Sequence, residues 1–189
     1  LHQVYGAYAA GMNLARIAQL VGALSPADSD ERRKQVCARI LDAHASTRER
    51  QPFLDRLYPA LRAALGVPRS ILDLACGLHP FGLPWMDLPL ETEYYALDIS
   101  RGLVTLLNQF FVAAGRRPNA ACHDLLTDVP LRSADVALLF KLLPLLERQE
   151  PGAAAALLRR LPARAAVVSF PARSLSGGEK GMRAHYAAF

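Results

Sequence analysis

Several kinds of feature are scarce or absent in this 189-residue chain. No apolar run approaches the roughly 18 residues that span a bilayer, so we expect no membrane association. The three cysteines, Cys37, Cys76 and Cys122, are far apart and have no metal-ligand spacing. This argues against a zinc-type centre or a disulfide framework, and it fits a reducing, cytoplasmic compartment. A GxGxxG fingerprint is also missing, which argues against a dinucleotide cofactor.

Positive charge is in excess, with a net charge of +5, and it is clustered. The clusters lie at residues 32–34, 116–117, 159–164 and 173–183. A single cluster usually marks a solvated surface, whereas several on one face suit a nucleic-acid backbone. Because the chain begins with Leu1 rather than Met and stops within a stretch of helical pattern, we expect a fragment with both ends missing.

The first 66 residues have the spacing of apolar side chains that is typical of amphipathic helices. We predict a helix over residues 1–24, a second that begins at 28–30, and a third that Thr47 caps and Gly66 ends. From residue 69 onward strands and helices alternate, with strands at 70–75, 94–98, 119–122, 136–140 and 165–170. This alternation predicts an α/β domain with a parallel sheet, over residues 67–189, after a helical region over 1–66.

Acidic residues mark the ends of three successive strands. Asp73 lies near the end of the first, Asp98 closes the second, and Asp124 follows the third. Ligands of open α/β sheets bind at the carboxyl ends of strands, where an acid about 20 residues past the first turn holds ribose hydroxyls. Asp124 is placed to accept a hydrogen bond from an adenine amine, and Gly77 allows the first turn to approach a ligand. The pattern predicts a nucleoside site, best suited to S-adenosyl-L-methionine (SAM).

Four further side chains have two interpretations each. Arg48 and Arg50 precede the sheet, and they either hold the SAM carboxylate or form surface ion pairs. Lys141 follows the fourth strand, and it either contacts substrate phosphate or extends from an apolar run into solvent. Phe170 follows the fifth strand, and it either stacks on a base or belongs to the core.

Five stretches of the sequence, in order, resemble the aminoglycoside-resistance 16S rRNA methyltransferases, which methylate N7 of a guanine in the ribosomal decoding site. They are residues 1–8, 44–50, 72–80, 141–144 and 169–182. The most specific are His-Ala-Ser-Thr-Arg-Glu-Arg at 44–50 and Phe-Pro-x-Arg-Ser-Leu-Ser-Gly-x-Glu-Lys-Gly-Met at 170–182. The departures are His79, where many members have Asn, and Ser100, where many have Asp.

The resemblance implies a class I SAM-dependent methyltransferase fold, Rossmann-like and mostly parallel. It implies an N-terminal helical region that binds rRNA, truncated at its start, and C-terminal strands that lie beyond Phe189. In this family Arg50 would hold the SAM carboxylate, Gly77 would lie beside the methionine part, Asp98 would bind ribose, and Asp124 with Leu125 would bind adenine.

From the residues and the resemblance together we predict two sets of site residues. The cofactor set is Tyr5, His44, Arg50, Asp73, Ala75, Gly77, Asp98, Ile99, Asp124 and Leu125. The set that positions the substrate is Lys141, Phe170, Arg173, Lys180, Met182 and Arg183.

Guanine N7 has a lone pair and no proton, so its methylation needs positioning and no general base. We therefore predict no catalytic acid or base and no metal. The expected cofactor is SAM, with S-adenosyl-L-homocysteine (SAH) as its product, and the expected partner is 16S rRNA within the 30S subunit. Three alternatives stay open from the residues: an adenine-N1 rRNA methyltransferase, a small-molecule methyltransferase, and a SAM- and rRNA-binding protein without turnover.

Overall fold

A computed structural model describes residues 12–126 and 132–171. The N-terminal part contains α1 (Leu14–Gly22), α2 (Asp30–Leu41), α3 (Ala45–Arg48), a 3₁₀ turn (Gln51–Phe53) and α4 (Leu54–Leu65). Asn13 and Ser29 cap α1 and α2, each accepting a hydrogen bond from a backbone N–H three residues further on. Gly66 ends α4 with a φ of 76°, as predicted.

Thr47 does not cap α4, so that prediction was wrong. It lies within α3, only 5% exposed, and its hydroxyl lies 2.5 Å from the carbonyl oxygen of Leu41 and 3.0 Å from that of His44. The last carbonyls of a helix have no partner within the helix. The Thr47 hydroxyl satisfies one of them at the end of α2, and α4 follows directly from the 3₁₀ turn.

Five strands form one parallel sheet in the order β3-β2-β1-β4-β5. They are β1 (Ser70–Leu74), β2 (Glu93–Asp98), β3 (Ala120–Cys122), β4 (Ala134–Phe140) and β5 (Ala163–Ser169). A 3₁₀ turn (His79–Gly82) and the helices α5 (Leu83–Met86), α6 (Arg101–Ala113), α7 (Leu143–Gln149) and α8 (Ala153–Arg160) connect them. The predicted Rossmann-like α/β fold is confirmed. Because the strand order reverses direction between β1 and β4, a ligand crevice is expected there.

Alternate residues of the strands enter two apolar clusters, one on each face of the sheet. The larger cluster joins the helical region to the sheet, since Ile17 and Ile40 share it with Phe81 and Phe110. The smaller cluster contains Leu143 and other residues of α7 and α8. In the described part of the chain no helix is both long and apolar enough to cross a membrane. The domain boundary near residue 66 stays a prediction, because the helical region and the sheet region contribute side chains to the same apolar core.

Candidate functional site

A cavity of about 220 Å³ opens at the carboxyl ends of the strands, beside the helical region. Of the predicted cofactor residues, those that line it are His44, Arg50, Ala75, Gly77, Asp98, Ile99, Asp124 and Leu125. Asp73 does not line it, and Tyr5 lies outside the described residues. The structure thus brings most of the predicted set to one place, with residues from the helical region, β1, β2 and β3 around a single opening.

The turn after β1 has an unusual backbone. Ala75 and Gly77 both adopt left-handed conformations, with φ of 48° and 53°. A Cβ added at Gly77 would meet no atom within 4 Å, so the backbone conformation, and not crowding, favours glycine there. The N–H of Cys76 donates to the carbonyl of Leu97 at 2.9 Å, which ties the turn to β2.

Asp98 holds this turn in place. One carboxylate oxygen accepts the N–H of Gly77 at 2.9 Å, and the other accepts the N–H of Ser100 at 2.9 Å. Burial raises the pKa of Asp98, while the hydrogen bonds from Ser100 and Gly77 oppose that shift. Because each oxygen of a carboxylate has two acceptor positions, Asp98 keeps the capacity to accept hydrogen bonds from a ribose diol.

Arg50 is a partly buried cation that forms no ion pair with any described residue. Its guanidinium lies over the ring of Phe140, 4.4 Å from the centroid, and donates weakly to Ser46 Oγ at 3.4 Å. Desolvation lowers the pKa of Arg50 against the opposing influence of nearby tyrosines and carboxylates. A desolvated guanidinium in a cavity wall, with no counter-ion in the described part of the chain, is suited to an anionic ligand group. Arg48, by contrast, is exposed, and its guanidinium lies 3.4 Å from the carbonyl oxygen of Asp42.

Asp73 differs from the other two acids, although sequence reasoning treated all three alike. It is 1% exposed and lies under the cavity wall. One of its oxygens contacts His79 Nδ1 at 2.7 Å and accepts the hydroxyl of Tyr94 at 2.7 Å. These partners satisfy a carboxylate that would otherwise be costly to bury, so the burial of Asp73 requires no direct contact with a ligand.

The predicted substrate residues fall into two groups. Arg173, Lys180, Met182 and Arg183 lie outside the described residues. Lys141, at the end of β4, has a left-handed backbone with φ of 57°, and its Nζ donates to Glu49 Oε2 at 2.5 Å. Phe170 packs against the smaller apolar cluster, which matches the core interpretation of this ring.

One basic cluster has a structural role. The guanidinium of Arg116 donates to the carbonyls of Leu88, Pro89 and Thr92 at 2.7 to 3.3 Å, so it fastens the loop before β2. Burial correspondingly lowers the pKa of Arg116. The Arg116 side chain therefore stabilises the fold through these hydrogen bonds. Arg32 and Arg39 on α2 are exposed and can contact a partner.

Sequence reasoning missed many of the residues that line the cavity, among them Ser46, His79 and Phe140. His79 and Ser46 lie inside the stretches 72–80 and 44–50 that carried the resemblance, so their place in these motifs was an available signal. The sequence contains no comparable signal for Phe140, because the last apolar residue of a buried strand looks like any other core residue of that strand.

Together these groups fit SAM. The guanidinium of Arg50, which has no counter-ion among the described residues, suits its carboxylate. The remaining acceptor positions of Asp98 suit its ribose, and Asp124 suits its adenine amine. Among the described residues no cluster of three or more His, Cys, Asp or Glu side chains is arranged to hold a metal ion.

Comparison with known proteins agrees with this geometry. The chain matches, over residues 1–189, the family described as ribosomal RNA methyltransferase (FmrO). A 16S rRNA (guanine(1405)-N(7))-methyltransferase of Serratia marcescens is 40% identical over 189 residues, which are 100% of this chain and 69% of the relative. One of Frankia casuarinae is 37% identical over 191 residues, covering 100% of this chain and 67% of the relative.

Solved structures give the same result. The 16S rRNA methyltransferase RmtF in complex with S-adenosyl-L-homocysteine matches with a TM-score of 0.80 and 41% identity, over 99% of this chain and 69% of that one. The 16S rRNA methylase RmtB matches with a TM-score of 0.77 and 32% identity, over 99% and 68%. With a family match over residues 1–189, relatives at this identity and a five-stranded parallel sheet, the chain belongs to the FmrO family of ribosomal RNA methyltransferases.

Proposed function

We propose that this protein transfers a methyl group from SAM to N7 of a guanine in the decoding region of 16S rRNA, within the 30S subunit. The observation that carries the proposal is the cavity at the strand ends, where Arg50, Asp98 and Asp124 surround a space suited to SAM. The sequence relatives are named for guanine-N7 methylation of 16S rRNA, and the proposal extends that activity to this chain.

In this proposal the chain's residues bind and orient, and none exchanges a proton with the substrate. Arg50 holds the carboxylate of SAM, Asp98 the ribose, and Asp124 with Leu125 the adenine. SAM supplies an electrophilic methyl group on a sulfonium sulfur. Guanine N7 is a lone-pair acceptor in the major groove. The protein's task is therefore to hold N7 in line with that methyl group, about 3–3.5 Å away.

Access to the base requires contacts with the RNA backbone. A nucleotide leaves its stack at a cost of a few kcal/mol, which phosphate contacts offset. We propose that Lys141, Arg173, Lys180 and Arg183 supply such contacts, and that Met182 also takes part in positioning the substrate. The helical region, residues 1–66, would bind rRNA through exposed cations such as Arg32 and Arg39. Because the proposed substrate is an assembled 30S subunit, we propose that the protein acts in the cytoplasm.

Methylation at N7 would also explain drug resistance. It removes a hydrogen-bond acceptor and gives the base a positive charge. Aminoglycosides are polycations, so both changes oppose their binding at the decoding site. We accordingly propose that the methyl group protects the ribosome from aminoglycosides.

The direct test is incubation of the protein with labelled SAM and assembled 30S subunits, followed by mapping of the modified nucleotide. We expect label at N7 of one guanine in the decoding region and none on protein-free 16S rRNA. Label at N1 of an adenine would support the alternative rRNA activity. If label is incorporated into small molecules of a cell extract but never into subunits, the proposed substrate is wrong.

A second prediction concerns the ribose contact. Asp98→Ala should weaken SAH binding roughly 10- to 150-fold, since hydrogen bonds to a charged group contribute about 1.5–3 kcal/mol each. The change also releases the N–H groups of Gly77 and Ser100, so the turn after β1 loses its anchor. Calorimetric titration of SAH measures the effect. Asp55→Ala is the matched control, because Asp55 is exposed in α4 and does not line the cavity. Unchanged affinity in Asp98→Ala would remove Asp98 from the site.

A further inference from the structure

Few polar contacts within the described residues fix the orientation of the Arg50 guanidinium. It has no described ionic partner, and its hydrogen bond to Ser46 Oγ is long, at 3.4 Å. The ring of Phe140 is the surface on which the guanidinium rests, with a separation of 4.4 Å. The direction of Arg50 therefore depends on where the Phe140 ring lies.

The ring of Phe140 is in turn held by His79. The two ring centroids are 4.5 Å apart and their planes meet at 78°, an edge-to-face contact. His79 is 3% exposed and lies in the 3₁₀ turn after β1. This contact connects the turn after β1 to the end of β4, on the two sides of the switch point.

Both nitrogens of His79 are fixed. Nδ1 contacts the carboxylate of Asp73 at 2.7 Å, and Nε2 contacts the hydroxyl of Tyr58 at 2.9 Å. A carboxylate only accepts, so Nδ1 carries the proton and Nε2 accepts a hydrogen bond from the Tyr58 hydroxyl. Burial lowers the pKa of His79, and Asp73 opposes that shift, so the neutral ring suits this network.

Tyr58 comes from α4, and the approach of its hydroxyl requires a glycine. A Cβ at Gly82 would lie 2.6 Å from the Tyr58 oxygen. The hydroxyl of Tyr94 also donates to Asp73, at 2.7 Å, and completes the set of polar groups around the carboxylate. The helical region, β1 and β2 thus meet at His79, which lies in the wall of the cavity.

We propose that His79, fixed by Asp73 and Tyr58, is a positioning residue that orients Arg50 through Phe140 toward the carboxylate of the cofactor. The inference rests on the proposed function, since it needs SAM in this cavity. The inference goes beyond the proposed function because it gives Asp73 and Tyr58 a role in recognising only the amino-acid part of SAM, and not its nucleoside. A general structural role would instead affect every ligand of the cavity equally.

The test compares two ligands, SAH and 5′-deoxy-5′-methylthioadenosine, which keeps the nucleoside and lacks the amino-acid carboxylate. His79→Phe keeps a ring beside Phe140 and removes both hydrogen bonds. We expect SAH to bind about tenfold more weakly and methylthioadenosine to bind as to the wild type. In an Arg50→Met background the same change should have no further effect on SAH, because the group through which it acts is gone.

Tyr58→Phe provides a milder second variant, which removes one hydroxyl and should give the same selective loss of SAH affinity. Tyr95→Phe is the matched control, since the hydroxyl of Tyr95 contacts Arg132 at 3.2 Å and its ring belongs to the smaller cluster. Equal weakening of both ligands in Tyr58→Phe, or no change in either, would overturn the proposal. The wild-type titrations come first: if the wild type binds neither ligand, the proposed function itself fails, and this inference fails with it.

Discussion

Arg50→Met will weaken SAH binding by roughly 30- to 5,000-fold, which corresponds to about 2–5 kcal/mol for loss of one partner of a desolvated charge pair. Among the described residues that line the cavity, Arg50 is the only arginine or lysine. No other described side chain of the lining therefore offers the permanent positive charge of an arginine or lysine to a carboxylate. Methionine is similar in length and can still contact the Phe140 ring, so the change removes the charge with little loss of volume.

The same variant should be at least as stable as the wild type when no ligand is present. Desolvation lowers the pKa of Arg50, and the guanidinium has no described counter-ion, so its charge is a cost to the free protein. Thermal unfolding without ligand should give an equal or higher Tm, while the rise in Tm that SAH causes in the wild type should disappear.

Arg48→Met is the control for both measurements, because Arg48 is exposed, two residues away, and does not line the cavity. It should bind SAH like the wild type. If Arg48→Met and Arg50→Met lost the same affinity, the positive charge of this segment would matter and the cavity position of Arg50 would not.

The fold was predictable because its signals are local. Apolar runs gave all five strands within a few residues of their ends. The rule that parallel strands end at one edge of the sheet then brought Asp98 and Asp124 to one cavity. No contact between distant residues had to be known for either step.

The different role of Asp73 was not predictable from these rules. Its partners His79 and Tyr94 are polar groups that could equally have faced solvent or a ligand, and only the packed structure shows them around one carboxylate. Thr47 is a similar case, since a threonine before an apolar run usually caps a helix. Here a buried carbonyl six residues earlier, that of Leu41, takes its hydroxyl.

Lys141→Glu should lower methylation of 30S subunits by at least about 100-fold and leave SAH affinity unchanged. The Lys141 side chain is 16% exposed, beside the cavity, and does not line it. Its charge is therefore not needed for the cofactor, and in the proposed function it binds a phosphate of the rRNA. A glutamate there would face both the rRNA phosphates and Glu49, which now accepts the hydrogen bond from Lys141 Nζ.

Glu49→Gln separates the two functions that Lys141 could have. Glu49 is 58% exposed and pairs with Lys141 across 92 positions of the sequence. If the lysine contacts rRNA, removing its acidic partner leaves methylation intact or lowers the KM for subunits, because the ammonium no longer has to leave a carboxylate. Calorimetry with SAH, and initial rates over a range of subunit concentrations, measure both. Equal losses of turnover in Lys141→Glu and Glu49→Gln would instead show that the ion pair stabilises the packing of the end of α3 against the end of β4. The contact with rRNA would then have to come from other cations.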